Sequence, residues 1–189
     1  DLQIQDKMTG ENLPADLVNY VLNNEISYFP DLYFMANPSR KHRFITRNSR
    51  FHVEKRTIQY GVVVYTENCG MLMIKGNTRK PDLVLVNHKE EITDQYDNIL
   101  NPLAAFEVLS PSTAHIDLTE KLSEYKEIPS LQTYIIISQN EPKVWQYSRT
   151  ENNIWLLTEL EDMNDFIILD FLPETVYVFL KEIYEDIEF

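Results

Sequence analysis

Three segments in the middle of the chain predict its central architecture: PDLVLV (81–86), NPLAAFEVLSPST (101–113) and HIDLTEKLSEYKE (115–127). The first two segments contain nearly continuous apolar runs, which are typical of strands buried on both faces of a sheet. Each run carries one acidic residue, Asp82 at the start of the first and Glu107 inside the second. The third segment is typical of a helix with acidic residues in its first turns. These segments predict two buried strands, each with a carboxylate, followed by a helix.

Segments outside that stretch complete an α/β (α+β) pattern. Apolar and β-branched runs predict strands at 31–35, 60–67, 70–75, 131–138, 143–149, 153–160 and 166–170, with a turn near Gly70 joining the second and third of these. Helices are predicted at 14–24, at 40–56, from about 113 to 128, and from Pro173 through ETVYVFLKEIY. A helix between strands 103–109 and 131–138 permits these strands to be parallel neighbours. We therefore expect a central mixed β-sheet flanked by helices, in a single domain covering residues 1–189.

The composition is that of an ordinary globular protein. The chain has 189 residues, of which 43% are hydrophobic and 25% are charged. Its apolar runs are shorter than the roughly 20 residues that span a membrane, and the opening DLQIQDKMTG lacks the pattern of a signal peptide. Cys69 is the only cysteine, which excludes an internal disulfide. These features favour a cytoplasmic protein with no membrane partner.

The charge is strongly negative, but its distribution is uneven. The formal net charge is −13, which weakens a nucleic-acid interpretation because DNA is a polyanion. Between positions 40 and 56, however, the only acidic residue is Glu54. The same segment contains seven basic residues: Arg40, Lys41, Arg43, Arg47, Arg50, Lys55 and Arg56. Arg43, Arg47 and Arg50 are therefore candidates for contacts with DNA phosphates. The alternative is a solvated helix face.

The two carboxylates each have a structural and a functional interpretation. A carboxylate at the start of a buried strand costs free energy unless it is paired or binds a metal. For Asp82 the alternative is an aspartate in a turn that stays in solvent. Glu107 has apolar neighbours on both sides, and ionised glutamates are rare in the centre of a sheet without a partner. Its alternatives are an internal salt bridge or an exposed strand face.

Lys121 adds an ammonium group to this pair of acids. It follows Asp117 by four residues, so the two are predicted to share a helix face, and a surface ion pair is one interpretation. The other is a magnesium site. Mg²⁺ prefers oxygen ligands and keeps several waters, so Asp82, Glu107 and the backbone carbonyl of Val108 could hold Mg²⁺ or Mn²⁺. Such an ion lowers the pKa of a bound water, and a nearby ammonium orients that water and offsets charge on a phosphate.

The central part of the chain resembles the PD-(D/E)XK nuclease superfamily, and within it the restriction-endonuclease-like branch called Uma-two. The resemblance is carried by Pro81-Asp82, EVLSPST (107–113), Asp117 and Lys121. This resemblance implies a nuclease in which the aspartate and the glutamate bind a divalent metal. In the superfamily a lysine lies two residues after the glutamate, and here that position is Leu109. The branch is understood to carry its lysine on the following helix, the place that Lys121 matches.

A looser part of the resemblance lies upstream. Asp31-Leu-Tyr-Phe-Met35 is similar to the branch's Gly-Glu-[Leu/Ile]-x-x-Met stretch, with Asp31 in the place of the glutamate. His42 matches the histidine that follows on the first long helix. The resemblance therefore implies that Asp31 and His42 join the catalytic set and that Asp117 supports it.

Two functions remain open at this point. The first is a magnesium-dependent deoxyribonuclease that hydrolyses phosphodiester bonds with Asp82, Glu107 and Lys121. The second is a binding or structural module that has the nuclease fold without turnover, which the net charge and Leu109 favour. The resemblance also makes a homodimer one expectation, because relatives of this fold commonly dimerise to cut two strands. The sequence identifies no interface for it.

Other catalytic patterns are weaker. Ser110 or Ser112 with the nearby His115 lacks the glycine-flanked elbow of a nucleophilic serine, and the run SPST more simply ends a strand and caps a helix. The four histidines show no zinc-ligand spacing, and the single cysteine adds none.

Overall fold

The computed structural model describes residues 2–6, 32–36, 38–66, 69–109 and 117–189. The chain divides into two compact units, Asp1–Ser39 and Arg40–Phe189. In the first unit, strands β1 (Leu2–Asp6) and β2 (Leu32–Ala36) form an antiparallel pair. β2 corresponds to the strand predicted at 31–35, whereas the helix predicted at 14–24 lies outside the described residues. The single domain stays a prediction.

The second unit begins with helix α1 (Arg40–Thr57), close to the predicted bounds, and a 3-10 turn (Ile58–Tyr60). Its strands are β3 (Val62–Thr66), β4 (Met71–Leu72), β5 (Thr78–Arg79), β6 (Leu83–Asn87), β7 (Ala104–Val108), β8 (Thr133–Ile137), β9 (Val144–Arg149), β10 (Trp155–Leu160), β11 (Phe166–Leu169) and β12 (Val176–Phe179). A π-helical turn (Asp117–Lys121) leads into α2 (Leu122–Glu127), and α3 (Leu180–Ile183) follows β12. Among the described residues, no helix is both long and apolar enough to cross a membrane.

Six of these strands form the predicted mixed sheet, in the order β10-β9-β8-β7-β6-β3. β7 and β8 are parallel, and the other neighbouring strands of this sheet are antiparallel. The segment between β7 and β8 contains α2, as the parallel pairing requires. The prediction of a mixed sheet with a helical crossover at this point is confirmed.

The core lies on both faces of the six-stranded sheet. All five residues of β7 and all five of β8 are buried, in agreement with their continuous apolar pattern. Because successive side chains of a strand point to opposite faces, Leu83 and Phe106 pack with Ile45 of α1, whereas Val84 packs with Tyr125 of α2. α1 and α2 therefore approach the same two strands, β6 and β7, from opposite faces.

The strand predicted at 70–75 and its turn near Gly70 are wrong in detail. The strand is limited to β4, which pairs with β5 through a turn at Gly76, whose φ is +89°. β3 pairs with β6 instead. Gly70 serves a close approach, since a Cβ at this position would lie 2.0 Å from Oδ1 of Asn98.

The helix predicted from Pro173 is wrong over its first half. Val176 and Val178 are buried while Tyr177 is exposed, and this alternation belongs to strand β12, which pairs with β11. Only the four residues of α3 are helical there. A helix is predicted from about 113 to 128, and its first described residues, Asp117–Lys121, form a π-helical turn instead of regular α-helical turns. Ser112 and Thr113, the candidates for the helix cap, lie outside the described part.

Candidate active site

Asp82 and Glu107 lie at the same end of a strand pair. β6 and β7 are antiparallel, with Leu83 opposite Phe106. Asp82 directly precedes Leu83 and Glu107 directly follows Phe106, so the two acids are neighbours across the strands. The backbone N–H of Val108 donates a hydrogen bond of 2.7 Å to Oδ2 of Asp82. Since the N–H and C=O groups of one strand residue point to the same edge, this bond also directs the Val108 carbonyl towards Asp82.

Glu107 is a buried carboxylate with two partners on α2 and the turn before it. It is 4% exposed. Nζ of Lys121 lies 2.8 Å from its Oε1, and the hydroxyl of Tyr125 donates a 2.9 Å hydrogen bond to the same oxygen. An ionised carboxylate in such a place costs several kcal/mol unless it is paired, on the order of the effective penalty per buried ion. The ammonium and the hydroxyl compensate this cost.

Lys121 is not a surface lysine. Its side chain is 14% exposed, and it ends the π-helical turn that precedes α2. The prediction that Lys121 shares a helix face with Asp117 stays a prediction, and the turn that joins the two residues is π-helical. The side chain of Asp117 lies outside what the structure describes, so its supporting role stays a prediction. The ammonium of Lys121 contacts the carboxylate of Glu107 on β7.

Leu109 occupies the strand position at which the superfamily carries its lysine. Residues two apart on a strand point to the same face, so Leu109 follows Glu107 on the α2 side of β7. There its side chain packs in the cluster that contains Tyr125 and Ile136. Lys121 reaches Glu107 from outside the strand, which places an ammonium beside the glutamate although the strand position holds a leucine.

His42 approaches Asp82 from α1. Its Nε2 lies 3.3 Å from Oδ1 of Asp82, and the two side chains are 11% and 14% exposed. Asp82 therefore has one carboxylate oxygen near the imidazole and the other bound to the Val108 N–H. The structure thus brings Asp82, Glu107, Lys121 and His42 to one end of the sheet. Asp31 lies outside the described residues.

The donor set fits Mg²⁺ or Mn²⁺ better than a metal that needs a closed cage. In the part of the chain that the structure describes, no three His, Cys, Asp or Glu side chains converge as one metal site. Mg²⁺ is usually bound by one or two carboxylates together with waters and substrate phosphates. Asp82 and Glu107 supply two carboxylates at neighbouring positions, and the Val108 carbonyl is directed to the same edge.

The three predicted phosphate contacts lie on α1, outside this cluster. Arg43, Arg47 and Arg50 are exposed. The guanidinium of Arg47 donates two hydrogen bonds to Oδ1 of Asn48, at 3.0 and 2.8 Å. Nε of Arg50 lies 3.4 Å from a carboxylate oxygen of Glu54, one helical turn away. The exposed guanidiniums follow His42 along the same helix.

Sequence reasoning missed two polar residues of the site. Tyr125 is fully buried and hydrogen-bonds Glu107, and its spacing of four residues from Lys121 was a usable signal. Gln139 donates a 2.6 Å hydrogen bond to the carbonyl of Leu109 and holds the end of β7. No local pattern marks Gln139, because its role depends on the parallel pairing of β7 with β8.

Comparison with known proteins gives three findings. The family model "Uma2: Putative restriction endonuclease" matches residues 18–180. An uncharacterized protein of Synechocystis sp. is 36% identical over 93 residues, which are 49% of this chain and 52% of that protein, so this chain spans about half the length of that relative in the match. A crystal structure from Anabaena variabilis, described as a "putative nuclease belonging to DUF820", is similar with a TM-score of 0.64 and 15% identity, over 82% of this chain and 86% of that one.

The structural likeness, at 15% identity, is a likeness of fold, and it agrees with the mixed sheet and its flanking helices. The family match covers most of the chain, including every candidate site residue from Asp31 to Lys121. This chain therefore belongs to the Uma2 family of restriction-endonuclease-like proteins.

Proposed function

We propose that the chain is a Mg²⁺- or Mn²⁺-dependent nuclease that hydrolyses phosphodiester bonds of DNA. The observation that carries this proposal is the 2.8 Å contact between Lys121 and Glu107, beside Asp82 at the same end of the sheet. Asp82 and Glu107 would hold the ion, together with the Val108 carbonyl. When bound, the ion would supply Lewis-acid stabilisation of charge on the phosphate and lower the pKa of a coordinated water.

The roles of the side chains follow from their contacts. The Lys121 ammonium would orient the attacking water and offset the charge that develops on the phosphate, in a setting where water screening is weak. Tyr125 would fix the orientation of the Glu107 carboxylate. His42, 3.3 Å from Asp82, would keep that carboxylate directed into the site. Groups held in this way need little reorganisation when charge moves during the reaction.

The alternative is a nuclease-fold module that binds without turnover. Its support is the net charge of −13 and the leucine at position 109. The contact of Lys121 with Glu107 favours the enzyme, because it places an ammonium beside the glutamate although position 109 on the strand holds a leucine.

The test is cleavage of plasmid, linear, single-stranded and branched DNA by the purified protein with Mg²⁺ or Mn²⁺. We expect metal-dependent cleavage by the wild type and a loss of at least about 100-fold in Glu107→Ala, the scale on which single groups that stabilise a transition state act. Glu90→Ala, which removes an exposed carboxylate, is the matched control. Equal activity of wild type and Glu107→Ala would refute the assignment.

Calorimetric titration with Mn²⁺ separates the two functions independently of turnover. The nuclease should bind the ion, and Asp82→Ala should lose that binding. A chain whose Mn²⁺ isotherm is unchanged by Asp82→Ala would instead favour the inactive module. Thermal melting of each variant shows whether the fold is retained.

A further inference from the structure

An open groove of ≈ 430 Å³ lies beside α1, within the usual size range of ligand sites. We call it the arginine groove, and its lining includes Arg43, Thr46, Arg47, Arg50, Phe51 and Thr66. Although the net charge of the protein is −13, three guanidiniums and the ring of Phe51 line this groove. Guanidiniums match phosphate oxygens, whereas a phenyl ring offers only an apolar π-face.

The arginine groove adjoins the candidate active site. Thr66 ends β3 and is paired with Leu83, the residue directly after Asp82. On the other wall, Arg43 directly follows His42, whose imidazole lies 3.3 Å from Asp82. The groove therefore lies near Asp82 and His42.

Phe51 is the feature that phosphate binding alone leaves unexplained. Its side chain is 58% exposed, and it lies one helical turn after Arg47. The ring of His52 meets it edge-on at 5.0 Å, and the ammonium of Lys55 lies 5.9 Å from its centre. An exposed ring among cations is a surface on which a nucleic-acid base can stack while its phosphates meet the cations.

Glu54 adds a carboxylate to the lining of the groove. Glu54 ion-pairs with Arg50 at 3.4 Å and holds that guanidinium at the groove.

We propose that the arginine groove binds a DNA strand with unpaired bases, with Phe51 stacking on one base and Arg43, Arg47 and Arg50 meeting its phosphates. The inference rests on the proposed nuclease function and narrows its substrate to single-stranded or locally unpaired DNA. In a duplex the bases stack on each other, so their faces are closed to Phe51. An unpaired base presents its face to the ring.

The test is fluorescence anisotropy in EDTA, which prevents cleavage, with one oligonucleotide as a single strand, as a duplex, and as a single strand with abasic sites. Phe51→Ala should weaken binding of the single strand on the order of tenfold and binding of the duplex by less than about twofold. Phe51→Trp should keep the affinity, because the larger ring still stacks. For the abasic strand, wild type and Phe51→Ala should bind alike. The matched control is Tyr96→Ala, which removes an aromatic side chain of a residue that is 76% exposed and outside the groove lining.

An equal loss on single strand and duplex, no loss on the single strand, or a wild-type preference for the duplex would each overturn the inference. Its failure is distinguishable from failure of the nuclease. Suppose that Glu107→Ala abolishes metal-dependent cleavage while Phe51→Ala leaves single-strand affinity unchanged. This result retains the nuclease function and refutes the stacking site. If single-strand binding depends on Phe51 but the protein cleaves no DNA with Mg²⁺ or Mn²⁺, the stacking site is retained and the nuclease function is refuted. A wild type that binds no DNA refutes both.

Discussion

At the scale of single residues, the two candidate functions assign different roles to one ammonium group. Lys121 and Glu107 form a contact of 2.8 Å between side chains that are 14% and 6% exposed. A pair this buried seldom serves stability well, because desolvation offsets most of the attraction between the charges. A site in which the lysine acts on a substrate explains its burial better.

A lysine exchange tests this explanation. Lys121→Met should lower the cleavage rate about 100- to 1,000-fold, as the loss of one preorganised charge stabiliser does. Adding Leu109→Lys to that variant returns an ammonium to the same face of β7 as Glu107, so part of the rate should return. Single-turnover cleavage rates of the three proteins measure this.

Lys126→Met serves as the control, since Lys126 lies on α2 and its ammonium is 5.1 Å from the ring of Tyr147 rather than at Glu107. If the double variant stays as inactive as Lys121→Met while its melting temperature returns to the wild-type value, position 109 does not substitute for position 121.

At the scale of elements, α1 contributes to both the candidate active site and the arginine groove. Near its start His42 meets Asp82, and Ile45 and Val53 bury one side of the helix in the core. The opposite side carries the arginine groove. Near its end, Nη2 of Arg56 lies 2.6 Å from Oε1 of Glu182 on α3, which attaches the helix to the C-terminal residues. One helix therefore carries both the imidazole beside Asp82 and the row of guanidiniums.

Neutralising that row should weaken DNA binding and its dependence on salt. In a variant with Arg43→Gln, Arg47→Gln and Arg50→Gln, the slope of log K against log [salt] should fall by about 2, since each lost phosphate contact on a single strand removes roughly 0.7. Binding isotherms at several salt concentrations measure the slope. A triple Gln variant of the exposed lysines Lys75, Lys80 and Lys89 is the control. An unchanged slope in the arginine variant would assign α1 to a solvated surface.

At the scale of the molecule, the negative charge is not spread evenly. The basic residues of α1 meet part of the acidic C-terminal segment, through Arg56 with Glu182 and, at 4.0 Å, Arg47 with Asp186. Several carboxylates elsewhere are held ionised by hydrogen bonds, which lower the pKa of Asp94, Glu124 and Asp165. The folded state therefore loses favourable interactions when these groups are protonated.

Glu124 allows this acid sensitivity to be measured. Nε of Arg79 donates a 2.7 Å hydrogen bond to Glu124, and this bond is the main reason that the pKa of the carboxyl lies below its ordinary value of 4.5. A carboxyl with a lower pKa in the folded state stabilises the protein above its unfolded pKa and stops doing so as the pH falls through the folded one. Glu124→Gln should therefore lower the unfolding free energy by on the order of 1 kcal/mol at pH 7. The difference should begin to shrink as the pH falls to about 4.5 and should vanish only below the lowered pKa of the folded state.

Urea unfolding of both proteins from neutral to acidic pH gives the comparison, and Glu90→Gln, an exposed glutamate, should show no such trend. A difference between wild type and Glu124→Gln that is independent of pH would mean that lost packing, not lost charge, causes the destabilisation.

The amino-acid sequence alone predicts most of the buried strands, helix α1, a helical crossover that permits parallel strands, and one acid on each of two buried strands. These follow from patterns within a few residues, such as the continuous apolar runs around Asp82 and Glu107. Local pattern also misled, since Val176, Phe179, Leu180 and Ile183 have the spacing of a helix, whereas pairing with β11 makes the first part of this segment strand β12.

Tertiary packing brings Lys121 to Glu107 and His42 to Asp82, and it sets the hydrogen bonds that Tyr125 and Gln139 donate to Glu107 and Leu109. These contacts join residues far apart in the sequence and depend on how α1 and α2 pack on opposite faces of β6 and β7. No local period encodes that packing, because it is selected by the burial of both faces of the sheet at once.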